Sequence, residues 1–262
     1  MKNRFGMFIH WGIYALYADH EQVLARRNLD NAAYERRMAE FNPVRYDPEE
    51  WVKLAKDAGM RYICFTAKHH DGFCMWDTRE TAYNIMNTPY GRDVLKLLSD
   101  ACRKHGMALS LYYSNPDWHE PSAYNPLSTH QWKSIDPSKG DSEKYRAFVK
   151  AQLTELLTNY GKIDVLWFDF SYPTQTEGPY ANGWMKGKGK DDWEAEELIA
   201  TARRLQPGII IDNRTEIEQD LWTPEQYQPK EWVRHAKTGE LVTWEACQTF
   251  SGSWGYHRDE TT

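Results

Sequence analysis

Several features are missing from this sequence, and each absence excludes a class of protein. No run of about 18 apolar residues occurs, so no transmembrane helix and no membrane partner are expected. Basic residues are not in excess, because the net charge is −6 with acids and bases intermixed, and this leaves no basic face for nucleic acid. The four scattered cysteines lack the paired spacing of a zinc site or a disulfide framework, so free buried thiols are expected.

Two catalytic motifs and a leader are missing as well. No Gly-rich phosphate loop follows the first strand-like segment, which argues against a doubly wound nucleotide-binding sheet. No Gly-x-Ser-x-Gly sequence occurs, so a Ser-His-Asp hydrolase has no support. The N-terminus shows no signal peptide, which fits either a cytosolic protein or a fragment without its leader. Residues 1–262 are long enough to bury a full core and are expected to form one domain.

Aromatic residues, in contrast, are abundant. The chain has 12 Trp and 16 Tyr. Several tryptophans occur in polar, loop-like stretches: Trp118, Trp132, Trp184, Trp222, Trp232 and Trp254. Most large rings pack in protein cores, but rings at the mouth of a pocket also stack on the apolar faces of sugars. The composition is therefore compatible with sugar binding without deciding it.

Strand-like and helix-like segments alternate along the chain. The strand candidates are residues 6–11, 61–67, 107–114, 162–170, 208–214 and 241–245. The helix candidates are residues 31–40, 47–59, 93–106, 142–160 and 192–205. In the second of these helices Asp47 is the expected N-cap, and the expected inward-facing residues are Val52, Leu54, Ala55 and Ala58. This repeated order predicts an α/β fold with parallel strands.

Each candidate strand ends in polar side chains that are capable of chemistry. These residues are His10, His69, Tyr112, Asp169, Arg214 and Glu245. The pattern predicts a TIM-like (β/α)8 barrel, in which the site is built at the carboxyl ends of the strands. Only about six strands are visible where a complete barrel has eight. We therefore expect an incomplete barrel whose last strands are absent, rather than strands hidden in irregular regions.

Carboxylates are the first candidates for catalysis. Asp169 lies near the end of an apolar strand-like run, where an ionised acid is poorly solvated and therefore costly. Glycoside hydrolysis uses two such acids, one that attacks the anomeric carbon and one that protonates the departing oxygen. Asp169 is the predicted nucleophile, aimed by Trp167 and Phe170. Glu225 is the predicted acid/base, and Glu245 is the alternative, for which an ion pair with an arginine is the ordinary explanation.

The histidines and one lysine allow other chemistries. His10, His69 and His70 could ligate a metal, but successive strand residues point to opposite faces, so His69 and His70 would not chelate one ion if the strand continued. Hydrogen bonds to sugar hydroxyls explain the three rings more simply, and no metal or cofactor is predicted. Lys68 could form a Schiff base, as in barrel aldolases, but no phosphate-binding motif accompanies it.

Ten short motifs occur along the chain: FGMFIHWG (5–12), AG (58–59), KHHDGF (68–73), LYYS (111–114), DW (117–118), LWFD (166–169), DNR (212–214), TPE (223–225), WE (244–245) and SWGY (253–256). Together they show a resemblance, in the family's order and over essentially the whole chain, to the α-L-fucosidases of glycoside hydrolase family 29. It implies a retaining exo-glycosidase that removes terminal α-L-fucose through a covalent fucosyl-enzyme. Asp169 matches the nucleophile and Glu225 the acid/base, without any cofactor.

The resemblance also implies residues that bind the sugar. His10, His69, His70, Tyr112 and Arg214 match groups that hold the fucose hydroxyls and the nucleophile. Trp254 matches an aromatic that packs on the apolar side of the sugar, including its methyl group. Glu21 matches an acid that binds the sugar, although Gln22 follows it where many members have Trp.

The implied partner is a fucosylated oligosaccharide or glycoconjugate, and the oligomeric state stays open. Family members normally continue beyond the SWGY segment to closing strands and a C-terminal β-sandwich, which are expected to be absent here. Three alternatives stay open: a non-catalytic fucose-binding protein, an inactive truncated homologue, and a hydrolase of another specificity, such as a galactosidase. Family members are periplasmic, secreted, lysosomal or cytoplasmic, so the resemblance leaves the compartment open.

Overall fold

The fold is described from a computed structural model, which covers residues 4–124, 136–169, 189–226, 228–235, 237–249 and 251–260. Five parallel strands form one sheet in sequence order: β1 (Gly6–Ile9), β2 (Tyr62–Lys68), β3 (Ala108–Ser114), β4 (Val165–Asp169) and β5 (Ile210–Ile211). Seven α-helices occur in the described residues: α1 (Val23–Arg26), α2 (Asn31–Arg36), α3 (Pro48–Asp57), α4 (Val94–His105), α5 (Ser142–Asn159), α6 (Lys190–Trp193) and α7 (Ala195–Leu205). The predicted parallel α/β fold is confirmed.

Aspartate caps begin α3, α4 and α5, which are three of the four longest helices in the described residues. The Asp47 carboxylate accepts a hydrogen bond from the backbone N–H of Glu50 at 3.0 Å, and Asp93 and Asp141 make the equivalent contacts at 2.8 and 3.0 Å. Each carboxylate satisfies an N–H group that would otherwise lack a partner in the first turn. The helix starts that the sequence predicts at Asp47 and Asp93 are therefore confirmed.

The inward face of α3 is narrower than predicted. Val52 and Ala55 are buried, whereas Leu54 is 64 % exposed and Ala58 is also exposed. Leu54 lies two positions from Val52 and so points to another face of the helix, and Ala58 is the C-cap residue beyond the last helical residue, Asp57. The prediction that Leu54 and Ala58 face inward is wrong.

Alternate residues of each strand enter different environments. The register aligns one row across the whole sheet, and these side chains pack beneath the helices: Ile9, Phe65, Leu111, Leu166 and Ile211. The intervening positions face the other side and form a second cluster with later segments: Phe8, Cys64, Tyr112, Trp167, Cys247 and Trp254. The period of two in a strand thus separates the main core from the face that carries polar chemistry.

Two predicted elements differ in the structure. The helix predicted over residues 192–205 is divided into α6 and α7, because Glu194 has a left-handed backbone with φ of 50°. Residues 241–245 make only isolated bridges instead of a strand: Trp222 to Trp244 is parallel and Arg234 to Leu241 is antiparallel. A further parallel bridge joins Glu225 to Cys247, just beyond this segment. Single bridges without a continuous ladder do not make a strand, so the described residues show five strands and not the eight of a closed barrel.

None of the helices in the described part of the chain is long and apolar enough to cross a membrane. Residues 120–140 are described only at their two ends, where the short 3-10 helices Pro121–Ala123 and Pro137–Lys139 lie. The predicted residues Phe170, Trp132 and Trp184 lie outside the described residues.

Candidate active site

Asp169 is the last residue of β4, and its carboxylate lies within a ring of side chains from other strands. Its Oδ1 accepts a hydrogen bond from Nη1 of Arg214 at 3.0 Å, and its Oδ2 accepts one from the Tyr112 hydroxyl at 2.6 Å. Nε2 of His70 lies 3.7 Å from the same Oδ2. Parallel strands bring their carboxyl ends to one edge of a sheet, so β2, β3, β4 and the segment after β5 all supply groups here.

Burial is the main influence on the ionisation of Asp169. It raises the pKa of this carboxyl to about 6, since an ionised acid loses its water in the interior. The charge of Arg214 and the hydrogen bond from Tyr112 oppose this effect, whereas the nearby Glu225 reinforces it. Asp169 is therefore ionised at neutral pH but gains a proton in mildly acidic solution.

One guanidinium joins the two candidate catalytic acids. Arg214 donates from Nη1 to Asp169 and from Nη2 to Oε2 of Glu225 at 2.8 Å, and its Nε donates to the Thr223 hydroxyl at 2.9 Å. Its guanidinium carbon also lies 4.4 Å from the centre of the Trp167 ring. These contacts hold the two carboxylates on either side of one planar cation, and retaining glycosidases need their two acids close together.

A continuous set of rings surrounds the Tyr112 side of the site. His69 stacks on Tyr112 with ring centres 5.4 Å apart and lies 4.3 Å from the His70 ring. His10 lies 5.6 Å from Tyr112 and stacks on Trp254 at 5.1 Å. Because β2 ends at Lys68, strand alternation stops there and both following histidines face the same cluster.

The three histidines are electrically neutral. Burial lowers the pKa of His10 to about 3, and it lowers the pKa values of His69 and His70 well below their usual range. Nδ1 of His10 and Nδ1 of His69 are buried and have no hydrogen-bond partner among the residues that the structure describes. Neutral imidazoles can both donate to and accept from hydroxyl groups, so this cluster suits a polyhydroxylated ligand.

Glu21 reaches the site through the backbone of the segment that carries Trp254. Its Oε2 accepts hydrogen bonds from the backbone N–H groups of Trp254 at 3.1 Å and Gly255 at 2.9 Å, and from the Ser253 hydroxyl at 3.3 Å. This carboxylate therefore fixes the aromatic ring beside His10. A direct bond from Glu21 to a sugar stays a prediction.

The two candidates for the acid/base lie in different surroundings. Glu225 shares Arg214 with Asp169, and its side chain is 27 % exposed. Glu245 accepts hydrogen bonds from the Tyr62 hydroxyl and from Nε1 of Trp167, the latter at 3.0 Å. The arginine partner expected for Glu245 is thus replaced by two neutral donors. The geometry favours Glu225.

Lys68 is fully buried in a network of its own. Its ammonium lies 3.0 Å from Oδ2 of Asp117 and 3.0 Å from the Tyr113 hydroxyl, which in turn donates to Gln152 at 2.7 Å. Tyr113 belongs to the helix-facing side of the sheet. This ion pair occupies the amine that the Schiff-base alternative requires, and it anchors the turn that presents His69.

Sequence reasoning missed two contributors to the site. Thr223 accepts from Arg214, and Ser114 contacts Nδ1 of His70 at 2.6 Å. Ser114 lies two residues after Tyr112, so the strand period of two could have identified it once Tyr112 was chosen. Trp167, which the sequence analysis named as aiming Asp169, lies under the guanidinium of Arg214. No cluster of three or more potential metal ligands occurs in the part of the chain that the structure describes.

Two carboxylates bridged by one arginine, beside neutral histidines and aromatic rings at the carboxyl ends of parallel strands, are a combination typical of the class of carbohydrate-hydrolysing enzymes. Comparison with known proteins identifies the family within that class. The chain belongs to the α-L-fucosidase family, glycoside hydrolase family 29, because the sequence model described as Alpha-L-fucosidase matches residues 1–262.

Solved structures of this family share the fold. Alpha-L-fucosidase isoenzyme 1 from Paenibacillus thiaminolyticus is 40 % identical, with a TM-score of 0.86 over 99 % of this chain and 62 % of that one. Alpha-L-fucosidase AlfC from Lactobacillus casei, solved with α-L-fucose product, is 28 % identical, with a TM-score of 0.79 over 98 % of this chain and 79 % of that one.

Curated relatives are longer than this chain. Alpha-L-fucosidase 1 of Arabidopsis thaliana is 32 % identical over 176 residues, which cover 65 % of this chain and 29 % of the plant protein. The putative α-L-fucosidase of Caenorhabditis elegans is 24 % identical and covers 98 % of this chain and 52 % of its own length. The chain thus spans about half the length of such relatives when it matches them from end to end.

Proposed function

We propose that the chain hydrolyses terminal α-L-fucosyl linkages of glycans with retention of configuration, through a covalent fucosyl-enzyme on Asp169. The observation that carries the proposal is the single guanidinium of Arg214, which holds Asp169 and Glu225 together in a buried site. Two related structures support it. A GH29 fucosidase from Bacteroides thetaiotaomicron, 28 % identical, is a trapped covalent intermediate in complex with 2-fluoro-fucosyl fluoride. AlfC is in complex with Fuca(1,6)GlcNAc.

In the first step Asp169 attacks the anomeric carbon and the glycosidic bond breaks. Glu225 gives its proton to the departing oxygen, so the aglycone leaves as a neutral alcohol. A protonated Glu225 can still accept from Arg214 at Oε2 while its other oxygen carries the proton. Its partial exposure lets it exchange this proton with solvent, whereas the buried Asp169 is kept away from bulk water.

In the second step Glu225, now ionised, takes a proton from water. The resulting nucleophile attacks the anomeric carbon of the fucosyl ester, and Asp169 leaves as a carboxylate. Arg214 stabilises the negative charge on Asp169 as it returns. The same pair of acids thus serves both steps with reversed roles for Glu225, and no cofactor takes part.

The remaining predicted residues bind the sugar. His10, His69 and His70 are neutral and buried, so each ring can bond hydroxyl groups without a charge to neutralise. Trp254 offers a flat apolar surface for the methyl-bearing side of fucose, and Glu21 holds that ring in place. A fucosylated oligosaccharide or glycoconjugate is the proposed substrate.

The experiment that tests this function combines Asp169→Asn and Asp169→Gly with an aryl α-L-fucoside. Both variants should lose turnover by about 1,000-fold or more, because no covalent intermediate can form. Azide should restore release of the aryl group from Asp169→Gly and yield a fucosyl azide, since the small anion occupies the space of the lost carboxylate. Asp57→Asn, at the exposed end of α3, is the matched control and should keep full activity.

Three results would contradict the proposal. Activity that persists in Asp169→Asn would reject the nucleophile. Fucose binding by calorimetry without any turnover would identify a fucose-binding protein or an inactive homologue. Faster hydrolysis of an aryl galactoside than of the fucoside would identify a hydrolase of another specificity.

A further inference from the structure

Ser114 connects His70 to a backbone carbonyl. Its Oγ lies 2.6 Å from Nδ1 of His70 and 2.5 Å from the carbonyl oxygen of Pro116. Ser114 and His70 are both completely buried, so the hydroxyl has no access to bulk water. The hydrogens in these two short contacts must therefore come from Ser114 and His70 themselves.

Counting hydrogens assigns the donor in each contact. Two oxygens approach to 2.5 Å only with a hydrogen between them, and the Pro116 carbonyl has none. The single hydroxyl hydrogen of Ser114 therefore points to Pro116. Oγ of Ser114 must then accept from His70, so Nδ1 of His70 carries a hydrogen. Because burial keeps this imidazole neutral, its Nε2 is the unprotonated nitrogen.

We propose that Ser114 is a positioning residue that fixes His70 as the Nδ1–H tautomer, so that the lone pair of Nε2 faces Asp169. Nε2 lies 3.7 Å from Oδ2 of Asp169. There it can accept a hydrogen bond from a sugar hydroxyl next to the attacked carbon, and this role rests on the proposed function. The opposite tautomer would point an N–H at the nucleophile and stabilise its charge, which would weaken the attack.

The backbone holds this arrangement rigidly. Ser114 is the last residue of β3 and pairs in register with Asp169 at the end of β4. The carbonyl of His70 accepts from the backbone N–H of Trp118 at 2.7 Å, which ties the histidine to the turn that contains Pro116. The donor and acceptor positions are thus set by two strand ends and one turn rather than by mobile side chains.

Removal of the hydroxyl should change the ionisation of Asp169 in a definite direction. In Ser114→Ala the tautomer is no longer fixed, and the Nε2–H form gains population. That form donates to Asp169 and lowers its pKa, so the acidic limb of the kcat/KM profile should move to lower pH. The other ionisable groups that face Asp169 stay unchanged: Arg214, Glu225, Tyr112 and Asp212. A merely structural role for Ser114 would lower activity without shifting this limb.

The test measures the tautomer and the activity separately. Long-range ¹H–¹⁵N NMR of the wild-type chain, with His70→Gln for assignment, should show His70 protonated at Nδ1 and not at Nε2. Ser114→Ala should show Nε2 protonation and lose about 10- to 100-fold in kcat/KM, as for one buried hydrogen bond. Ser114→Thr keeps the hydroxyl and should retain the wild-type tautomer.

Ser110→Ala is the matched control, because Ser110 lies on the same strand and face but contacts Cys64 instead of a histidine. It should leave both the tautomer and the acidic limb unchanged. An Nε2–H signal in the wild type, or an unshifted limb in Ser114→Ala, would overturn the proposal. The wild-type spectrum needs no variant, so poor folding of Ser114→Ala does not prevent the test. The two proposals can also fail separately. If NMR shows His70 protonated at Nδ1 but the chain hydrolyses no fucoside, the proposed function is overturned and the effect of Ser114 on His70 is supported.

Discussion

Glu21 accepts a hydrogen bond from the backbone nitrogen of Trp254 at 3.1 Å, across 233 positions of sequence. Two further donors from the same segment, the Ser253 hydroxyl and the Gly255 N–H, reach the same oxygen. Three donors on one buried oxygen make this carboxylate the anchor of the Trp254 segment. An acid near the N-terminus thereby places an aromatic ring from the other end of the described chain against His10.

Replacement of Glu21 by alanine should act mainly through Trp254. The three donors would lose their acceptor, at about 1–3 kcal/mol for each buried group left unsatisfied, and the ring would lose its position. We expect KM for an aryl fucoside to rise about tenfold with a smaller change in kcat, because packing of a ring on the sugar is similar in the ground and transition states. Glu196→Ala, on the exposed face of α7, is the control and should match the wild type.

A double-mutant cycle distinguishes the two roles of Glu21. If the carboxylate only places the ring, Glu21→Ala should add little to Trp254→Ala, since both changes remove one interaction. If Glu21 also bonds the sugar directly, as the resemblance implies, the two losses should add. The KM values of the four proteins in the cycle are the measurement.

The acidic limb of the pH profile of kcat/KM should follow the ionisation of Asp169. Only the carboxylate can attack, so kcat/KM should fall below pH about 6, in line with its pKa of about 6. Tyr112→Phe removes a donor that favours the charged form, so this limb should move to higher pH. Tyr62→Phe removes a similar bond from Glu245 instead and should leave the limb in place. A limb that moves equally in both variants would contradict the assignment to Asp169.

The same pKa makes a prediction about stability. The folded value of about 6 lies above the ordinary value of 3.8, so the folded state binds the proton more tightly than the unfolded chain between these pH values. This contribution to the free energy of unfolding is fully present below pH about 4 and is lost as pH rises through about 6. Asp169→Asn does not titrate, so its stability relative to the wild type should increase from pH 4 to pH 7. Urea denaturation at several pH values measures the difference, and a constant difference would refute the prediction.

Glu225 and Glu245 should differ in their dependence on the leaving group. Glu225→Ala should lose about 100-fold or more on fucosides with poor leaving groups, and far less on activated aryl fucosides, which need no proton. Glu245→Gln should show no such dependence, because Glu245 accepts from Tyr62 and Trp167 and lies outside the bridged pair. The measurement is the slope of log kcat/KM against the pKa of the leaving group, which shows which glutamate donates the proton. A steep slope for Glu245→Gln would assign the acid role to Glu245.

Lys68 should contribute mainly to stability. Lys68→Met leaves the charge of Asp117 buried without its partner, which costs about 3–5 kcal/mol in free energy of unfolding. Asp117→Asn in the same chain should recover part of this loss. The control is Lys150→Met on the exposed pair with Glu197, where a much smaller loss is expected because solvent screens the two charges. Equal losses in the two lysine variants would contradict a special role for the buried pair.

The fold was predictable where residue type and spacing act locally. Asp47 and Asp93 indicated helix starts, because a cap depends only on neighbouring residues. Strand-like runs that alternate with helix-like segments along the chain indicated the parallel strands. The break at Glu194 was not predictable, since it depends on a left-handed backbone at one glutamate with no glycine to indicate it. The segment at residues 241–245 has the composition of a strand, but only isolated bridges form.

Candidate residues could be selected from the sequence, but the contacts among them could not be predicted from it. Sequence motifs selected Asp169, Arg214 and Tyr112, and the structure brings these three into direct contact. The second bond from Arg214 to Glu225, and the anchoring of Trp254 by Glu21, depend on which segments meet in three dimensions. The sequence gives the chemical type of each side chain, but it does not give the distances between side chains on different strands.

The division of each strand between helix-facing and site-facing positions sets how this chain can vary. In saturation mutagenesis scored for folding alone, Leu111 and Phe168 should accept only other apolar side chains, because they pack beneath the helices. Tyr112 and Asp169, one step along the same strands, are also buried, so they should accept changes that keep the size of the side chain, such as Tyr112→Phe and Asp169→Asn, in that screen and almost none in a screen for turnover. The requirement that limits substitution would therefore alternate along each strand. Folding would limit the helix-facing positions, and turnover would add a stricter limit at the site-facing positions.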